Sequence, residues 1–394
     1  MNRGSRRFSV TCGSVIVFLL VCVAVGRAQP SLNDTELRAA IDRLGAFDYG
    51  VRVEASRTVR RAPIKAAVPV LLETARGHHD SYVQFRAAVL LYGFSDARVG
   101  DYFREALASP NDRVRAAAYY YFEQEPDLAL VVPLLSALDD ETSEFVRPAL
   151  VRALAAHDDT AVVRDRLARE IDRGEGYFRG VVIEALGDYR AAYAVEPLIR
   201  IAAEAGPLQD DAVLALGKIG DVRALPTLAA LRDTAAEQFQ PIVSAAACLL
   251  GTDCPDQVRY VIKAVSYGAA TAGADQDVLR SASSALAALA MDGHAEALDA
   301  LFDSGRKSAE PARAPIALAL GTVALRSPSA VLAALRRRAD LDPALLLLRD
   351  AFDMLDEDFA EERFYILMRT TYWNSTTGSR PRAIAEAAMQ VLEF

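Results

Sequence analysis

The residues best suited to chemistry in this chain are few and scattered. Three of its four histidines stand in His78-His79-Asp80 and His157-Asp158-Asp159, and the fourth in His294-Ala295-Glu296. None recurs at the spacing by which a closed metal site gathers ligands, so each reads as a polar, solvent-facing residue. The acidic runs Asp139-Asp140-Glu141 and Asp356-Glu357-Asp358 could attract a hard cation, but neither follows a calcium-loop spacing, and solvated turns or helix caps explain both. No Gly-rich phosphate loop and no Gly-x-Ser-x-Gly elbow occurs. No catalytic residue, metal or cofactor is expected.

Two groups remain. Cys248 and Cys254 would lie about 9 Å apart on a continuous helix, too far to bridge. A disulfide needs the chain to bend back at Gly251; the alternative is a buried Cys248 on a helix with Cys254 in the following turn. The second group is aromatic, since ten of the fourteen tyrosines lie between Tyr49 and Tyr193. Successive helical positions rotate by about 100°, so Tyr119, Tyr120, Tyr121 and Phe122 cannot share one buried face, and at least one exposed ring is expected. Tyr119, Tyr120, Tyr121, Tyr189 and Tyr193 are thus candidates for gripping a protein or peptide, with packing inside a crowded helix as the alternative.

The elements that hold these residues follow from composition and repetition. A chain of 394 residues exceeds one compact core, and 52% hydrophobic with 25% charged residues is the balance of a folded protein. A net charge of −9 opposes a polyphosphate partner, so nucleic acid is not expected. At the N-terminus Arg3, Arg6 and Arg7 precede the apolar run Val15 to Val25, with small residues before a cleavage point at Ala28-Gln29. Residues 1–28 read as a secretory signal peptide, the run being too short to span a membrane permanently. The exported product is expected in a periplasm or outside the cell, with no integral span. Leu19-Leu20-Val21-Cys22 approaches a lipobox, but Val21 is bulky where a small residue is usual, which makes lipid anchoring the lesser option.

Beyond residue 48 the chain repeats itself. Phe85-Arg86-Ala87-Ala88, Val114-Arg115-Ala116-Ala117, Val146-Arg147-Pro148-Ala149 and Phe178-Arg179-Gly180-Val181 recur at roughly 30-residue intervals, each placed at a helix start. Val68-Pro69-Val70-Leu71, Val132-Pro133-Leu134-Leu135, Glu196-Pro197-Leu198-Ile199 and Leu225-Pro226-Thr227-Leu228 announce second helices, because proline fits a first turn. Leu186-Gly187-Asp188-Tyr189-Arg190 and Leu216-Gly217-Lys218-Ile219-Gly220-Asp221-Val222-Arg223 read as turns between them. In the pairs Asp96/Arg98, Asp188/Arg190 and Asp221/Arg223, the arginine of one unit is expected to reach the aspartate of its neighbour, forming an inter-repeat ladder.

The stretch from Ala215 to Leu228 resembles the short HEAT repeat of the phycobilisome-lyase type, and Glu184 to Ile199 is a looser copy. The resemblance implies an all-α, right-handed α-solenoid of HEAT/armadillo-like hairpins. Residues 29–47 form a leading cap, residues 48–372 roughly ten units, and residues 373–394 a polar loop and closing helix. The expected body is a curved rod with exposed, capped ends and no central nucleus. Helical-repeat di-iron hydroxylases, which the architecture also resembles, carry His-Glu pairs, and this chain has no His-Glu dipeptide. The expected function is an exported, non-enzymatic scaffold binding a protein or peptide on its inner surface. The rivals are a chromophore lyase or isomerase, implied by the family resemblance, and a purely structural envelope module.

Overall fold

The computed structural model describes residues 33–157, 160–355 and 357–394. The signal segment, its Ala28-Gln29 junction, the leading residues to 32, Asp158, Asp159 and Asp356 lie outside the described residues. Among the described residues the regular structure is wholly helical, with no strand. The first helices are α1 (Asp34–Asp42), α2 (Tyr49–Arg61), α3 (Ile64–Gly77), α4 (Ser81–Tyr92), α5 (Ala97–Ala106), α6 (Asp112–Gln124), α7 (Val131–Asp140) and α8 (Arg147–Ala155). Next come α9 (Ala161–Glu170), α10 (Gly176–Asp188), α11 (Val195–Ala203), α12 (Gln209–Ile219), α13 (Leu225–Thr234), α14 (Gln240–Leu249) and α15 (Cys254–Ala270). The last are α16 (Gln276–Met291), α17 (Ala295–Gly305), α18 (Arg313–Arg326), α19 (Pro328–Arg337), α20 (Leu341–Leu355), α21 (Asp358–Asn374) and α22 (Arg380–Val391).

The even-numbered helices from α4 to α18 pack side by side as an inner wall, each backed by the odd-numbered helix of its hairpin. The arginine-bearing segments are the inner helices, and the proline-bearing ones are outer. Pro133, Pro197 and Pro226 do sit in first turns, of α7, α11 and α13. Pro69 does not: α3 begins five residues earlier and carries it in its interior. Burial is continuous along the stack, so each hairpin hides its apolar stripe against the next.

The recurring arginine has a structural task. Arg115 donates to the carbonyl of Ser109 at 2.8 Å, Arg147 to Glu141 at 3.0 Å, Arg179 to Ile171 at 2.8 Å and Arg313 to Gly305 at 2.9 Å. Each accepting carbonyl lies where the preceding outer helix ends and its C=O groups lack intrahelical donors. Gln209 and Gln240 serve the same way in units without the arginine, bonding Ala202 at 2.9 Å and Ala235 at 3.0 Å.

Two glycines expected in turns lie inside helices instead. A Cβ on Gly187 would meet the Cα of Ala215 at 2.8 Å, and one on Gly217 the Cα of Ala246 at 2.7 Å. Their role is close approach of successive inner helices. Gly220, with φ +78°, is the glycine that ends α12.

The ends of the stack do not stay apart. Helix α21 bridges α18 and α4, and α22 packs on α20 and α21, so the solenoid closes into a ring. Arg60 of α2 grips Glu362 of α21, Arg86 of α4 pairs with Asp358, and Arg57 donates to the terminal carbonyl of Phe394. In this unit Gln84 takes over the loop carbonyl, of His78, which leaves Arg86 for the seam. The curved rod with separate capped ends is thus corrected: the C-terminal helices form a seam against the first units. No single helix among the described residues is long and apolar enough to cross a membrane.

Candidate functional site

Two adjoining concavities of the ring share Lys218, Ala288 and Met291. The smaller, about 300 Å³, is a charged neck reached by residues of α6, α8, α10, α12, α16, α18 and α21. The larger, about 680 Å³, is a chamber whose apolar floor includes Leu214, Ala287, Met291, Leu318 and Ala319. Its charged groups are Glu184, Asp211, Lys218 and Arg280.

The neck is organised by Arg152 of α8, which is almost fully buried. Its Nε meets Glu123 Oε1 at 2.9 Å and its Nη2 meets Asp188 Oδ2 at 2.8 Å, while Lys218 Nζ reaches Asp188 Oδ1 at 2.7 Å. Burial opposes the Arg152 charge, but Glu123, Asp188 and Glu184 outweigh it and hold the guanidinium above its ordinary pKa. Burial likewise works against ionised Asp188, yet Lys218 and Arg152 pull its carboxyl below the usual range. Successive inner helices are therefore tied by an ionic chain through the wall. Across the ring, Arg190 meets Asp292 at 2.9 Å, and Arg363 of α21 donates to Gln124 Oε1 at 2.6 Å.

Asp211 behaves in the opposite sense. Burial, reinforced by Glu184 and Asp210, pushes its carboxyl up to about 6, with Lys218 the opposing influence. Gly180 of α10 makes room for it, since a Cβ there would stand 2.9 Å from Asp211 Oδ2.

The expected ladder takes a different form. Arg98 bonds Asp96 within its own turn at 2.8 Å, as Arg223 bonds Asp221 at 2.7 Å. Short Asp-x-Arg spacing favours this local closure, because the aspartate already accepts from the backbone N–H of Arg98 or Arg223 as a cap. Arg223 does also reach the preceding unit, at Glu196, 3.1 Å away. Asp188 serves the ionic chain, and Arg190 spans the ring to Asp292.

The tyrosine quartet is also placed differently, for none of its four rings is exposed. Tyr119 is core, 1% exposed, its hydroxyl pushed up to about 12 by burial, and it cannot grip a partner. Tyr121 stacks on Phe103 at 4.4 Å, and Tyr120 faces Phe359 of α21 at 6.0 Å. The seam helix supplies the extra covered side that an open solenoid would lack. Tyr189 lines the neck and donates to Glu123 Oε1 at 3.2 Å, while Tyr193 is half-buried against the core.

Cys248 and Cys254 are joined in a disulfide, their Cα atoms 4.0 Å apart. The reversal occurs at Gly251, φ +80°, followed by Asp253 at φ +46°. His294, which opens α17 on the adjacent turn, places Nε2 3.6 Å from each sulfur. No spacing in the sequence joins this histidine to the cysteines, because turns 40 residues apart meet only through the stacking of the hairpins.

Residues 37–123 match the family model described as HEAT repeats. A stretch of 145 residues is 32% identical to the CRISPR-associated endonuclease Cas1 2 of Rhodospirillum rubrum, covering 37% of this chain. The chain spans 36% of that relative's length. Among solved structures, YibA of E. coli is similar with a TM-score of 0.41 at 16% identity, over 56% of this chain and 82% of that one. The complex of CpcE and CpcF of phycocyanin lyase from Nostoc sp. PCC7120 gives 0.36 at 20% identity, over 60% of this chain and 95% of that one. Importin beta gives 0.35 at 14% identity, over 91% of this chain and 56% of that one.

Proposed function

We propose that this solenoid of HEAT repeats is an exported scaffold that holds a segment of another protein in the chamber inside its ring. The observation that carries the reading is the 680 Å³ chamber itself, an apolar floor bordered by a few charged groups, the usual build of a site that takes an apolar segment with polar anchors. Leu318 is exposed there although it stands on an inner helix. Export is supported by the Arg-flanked apolar run before Ala28-Gln29, and by a disulfide of the kind that persists in oxidising compartments. Neither cysteine lines the chamber, so nothing there favours chromophore attachment over peptide binding. The likeness to an endonuclease covers a minor part of that protein, and the net charge of −9 opposes nucleic acid as the partner.

The test places a photo-crosslinking residue at Leu318 in the native host. Capture of one reproducible protein through a defined peptide, abolished when Met291→Trp fills the chamber, is the expected result. Capture that is unaffected by Met291→Trp would place binding elsewhere and defeat the reading.

A further inference from the structure

We propose that Cys248, Cys254 and His294 become, once the disulfide is reduced, a three-ligand site for a thiolate-seeking divalent ion of the zinc class. The proposal stands on the rim of the ring and does not depend on the chamber. Cys248 is buried near the end of α14, Cys254 is half-buried at the first position of α15, and His294 stands at the start of α17. Their ligand atoms all lie within 4.8 Å of one another.

The geometry suits a tetrahedral ion. Metal–sulfur bonds of about 2.3 Å and metal–nitrogen bonds of about 2.0 to 2.1 Å set nitrogen and sulfur about 3.6 Å apart. His294 Nε2 stands 3.6 Å from both sulfurs. Only the sulfurs must separate, to about 3.8 Å, through rotation of their side chains. Behind the histidine, a Glu296 carboxylate oxygen lies 3.6 Å from Nδ1. A carboxylate there favours the proton on Nδ1 and leaves the Nε2 lone pair for a metal. With His294 partly exposed, a fourth position is open to water, the arrangement of a three-ligand zinc site.

The redox step balances with a dithiol as reductant. The dithiol gives two electrons and two protons to the S–S bond, which breaks to two thiols, and itself leaves as a disulfide. Metal binding then releases both thiol protons as the sulfurs coordinate. The disulfide and the metal exclude each other, so the rim of the ring is either oxidised and metal-free or reduced and metal-bound.

The experiment reduces the full chain with a phosphine, removes the reductant without air, and titrates cobalt(II) chloride while recording visible and near-ultraviolet absorbance. Expected are one equivalent bound with a thiolate-to-cobalt charge-transfer band and displacement by zinc(II). His294→Ala should weaken binding at least about tenfold, and Glu296→Gln by about tenfold. The oxidised wild-type chain, which is folded and differs only in the S–S bond, should show no band. Two results overturn the proposal: a reduced chain that binds cobalt no better than Cys248→Ser/Cys254→Ser with helix content matched by circular dichroism, or a folded chain that yields no thiols after reduction.

Discussion

Arg60 and Glu362, 302 positions apart, meet in a two-nitrogen contact, with Nε 3.0 Å and Nη2 2.5 Å from Glu362 Oε2. The carboxylate is fully buried and the guanidinium nearly so. Burial works against the Arg60 charge, and Glu362 outweighs it, keeping the pKa raised. This pair belongs to no repeat; it ties the first units to the last and makes a ring of a stack. Removing one partner strands the other, so Glu362→Ala should lower stability by about 3 to 5 kcal/mol in urea unfolding. Arg60→Met with Glu362→Leu should recover most of that loss, since replacing both charges removes the stranded group.

The glycines on the inner wall are expected to be intolerant for a different reason. Gly217→Ala sets a methyl against the Ala246 backbone, which has no rotamer to yield, and should cost about 1 to 3 kcal/mol. Gly77→Ala, with open space around it at the end of α3, should be neutral or stabilise by up to about 1 kcal/mol. Thermal or urea unfolding of the two variants separates close approach from helix propensity.

Asp211 predicts a pH dependence with a definite sign. Its carboxyl, raised to about 6, is above the ordinary aspartate value of about 3.9 in an unfolded chain. The folded state therefore binds more protons between those values, and stability falls as pH rises from about 4 through about 6. Asp211→Asn should remove this fall, being more stable than wild type at pH 7 by about 1 to 2 kcal/mol and indistinguishable near pH 3.5. Unfolding curves across that range check both ends.

Export carries its own expectation. Protein recovered from the cell envelope should begin at Gln29 by N-terminal sequencing, and Arg3, Arg6 and Arg7 replaced together by Glu should leave it in the cytosol.

Much of the architecture was legible because a hairpin repeat writes its period into apolar, arginine and proline positions. Closure was not, since the seam pairs Arg60 with Glu362 and Arg86 with Asp358 across most of the chain, and the period that includes Arg86 marks no partner for it on α21. The same blindness displaced the tyrosines: Tyr120 reads as a candidate exposed ring until Phe359 is placed against it. Aspartates two residues before arginines suggested a ladder, but a local cap satisfies Asp96 and Asp221 first. The ionic chain uses Glu123, Arg152, Asp188 and Lys218, whose register on separate inner helices becomes visible only when the helices are stacked.

Small-angle X-ray scattering of the monomeric chain tests the closed ring most directly. A body whose ends meet should give a radius of gyration slightly above the roughly 21 Å of a compact fold of this length, with a pair-distance curve that returns to zero early. A value near 30 Å with a long tail, as from about ten units stacked at about 10 Å each in an open arc, would contradict it.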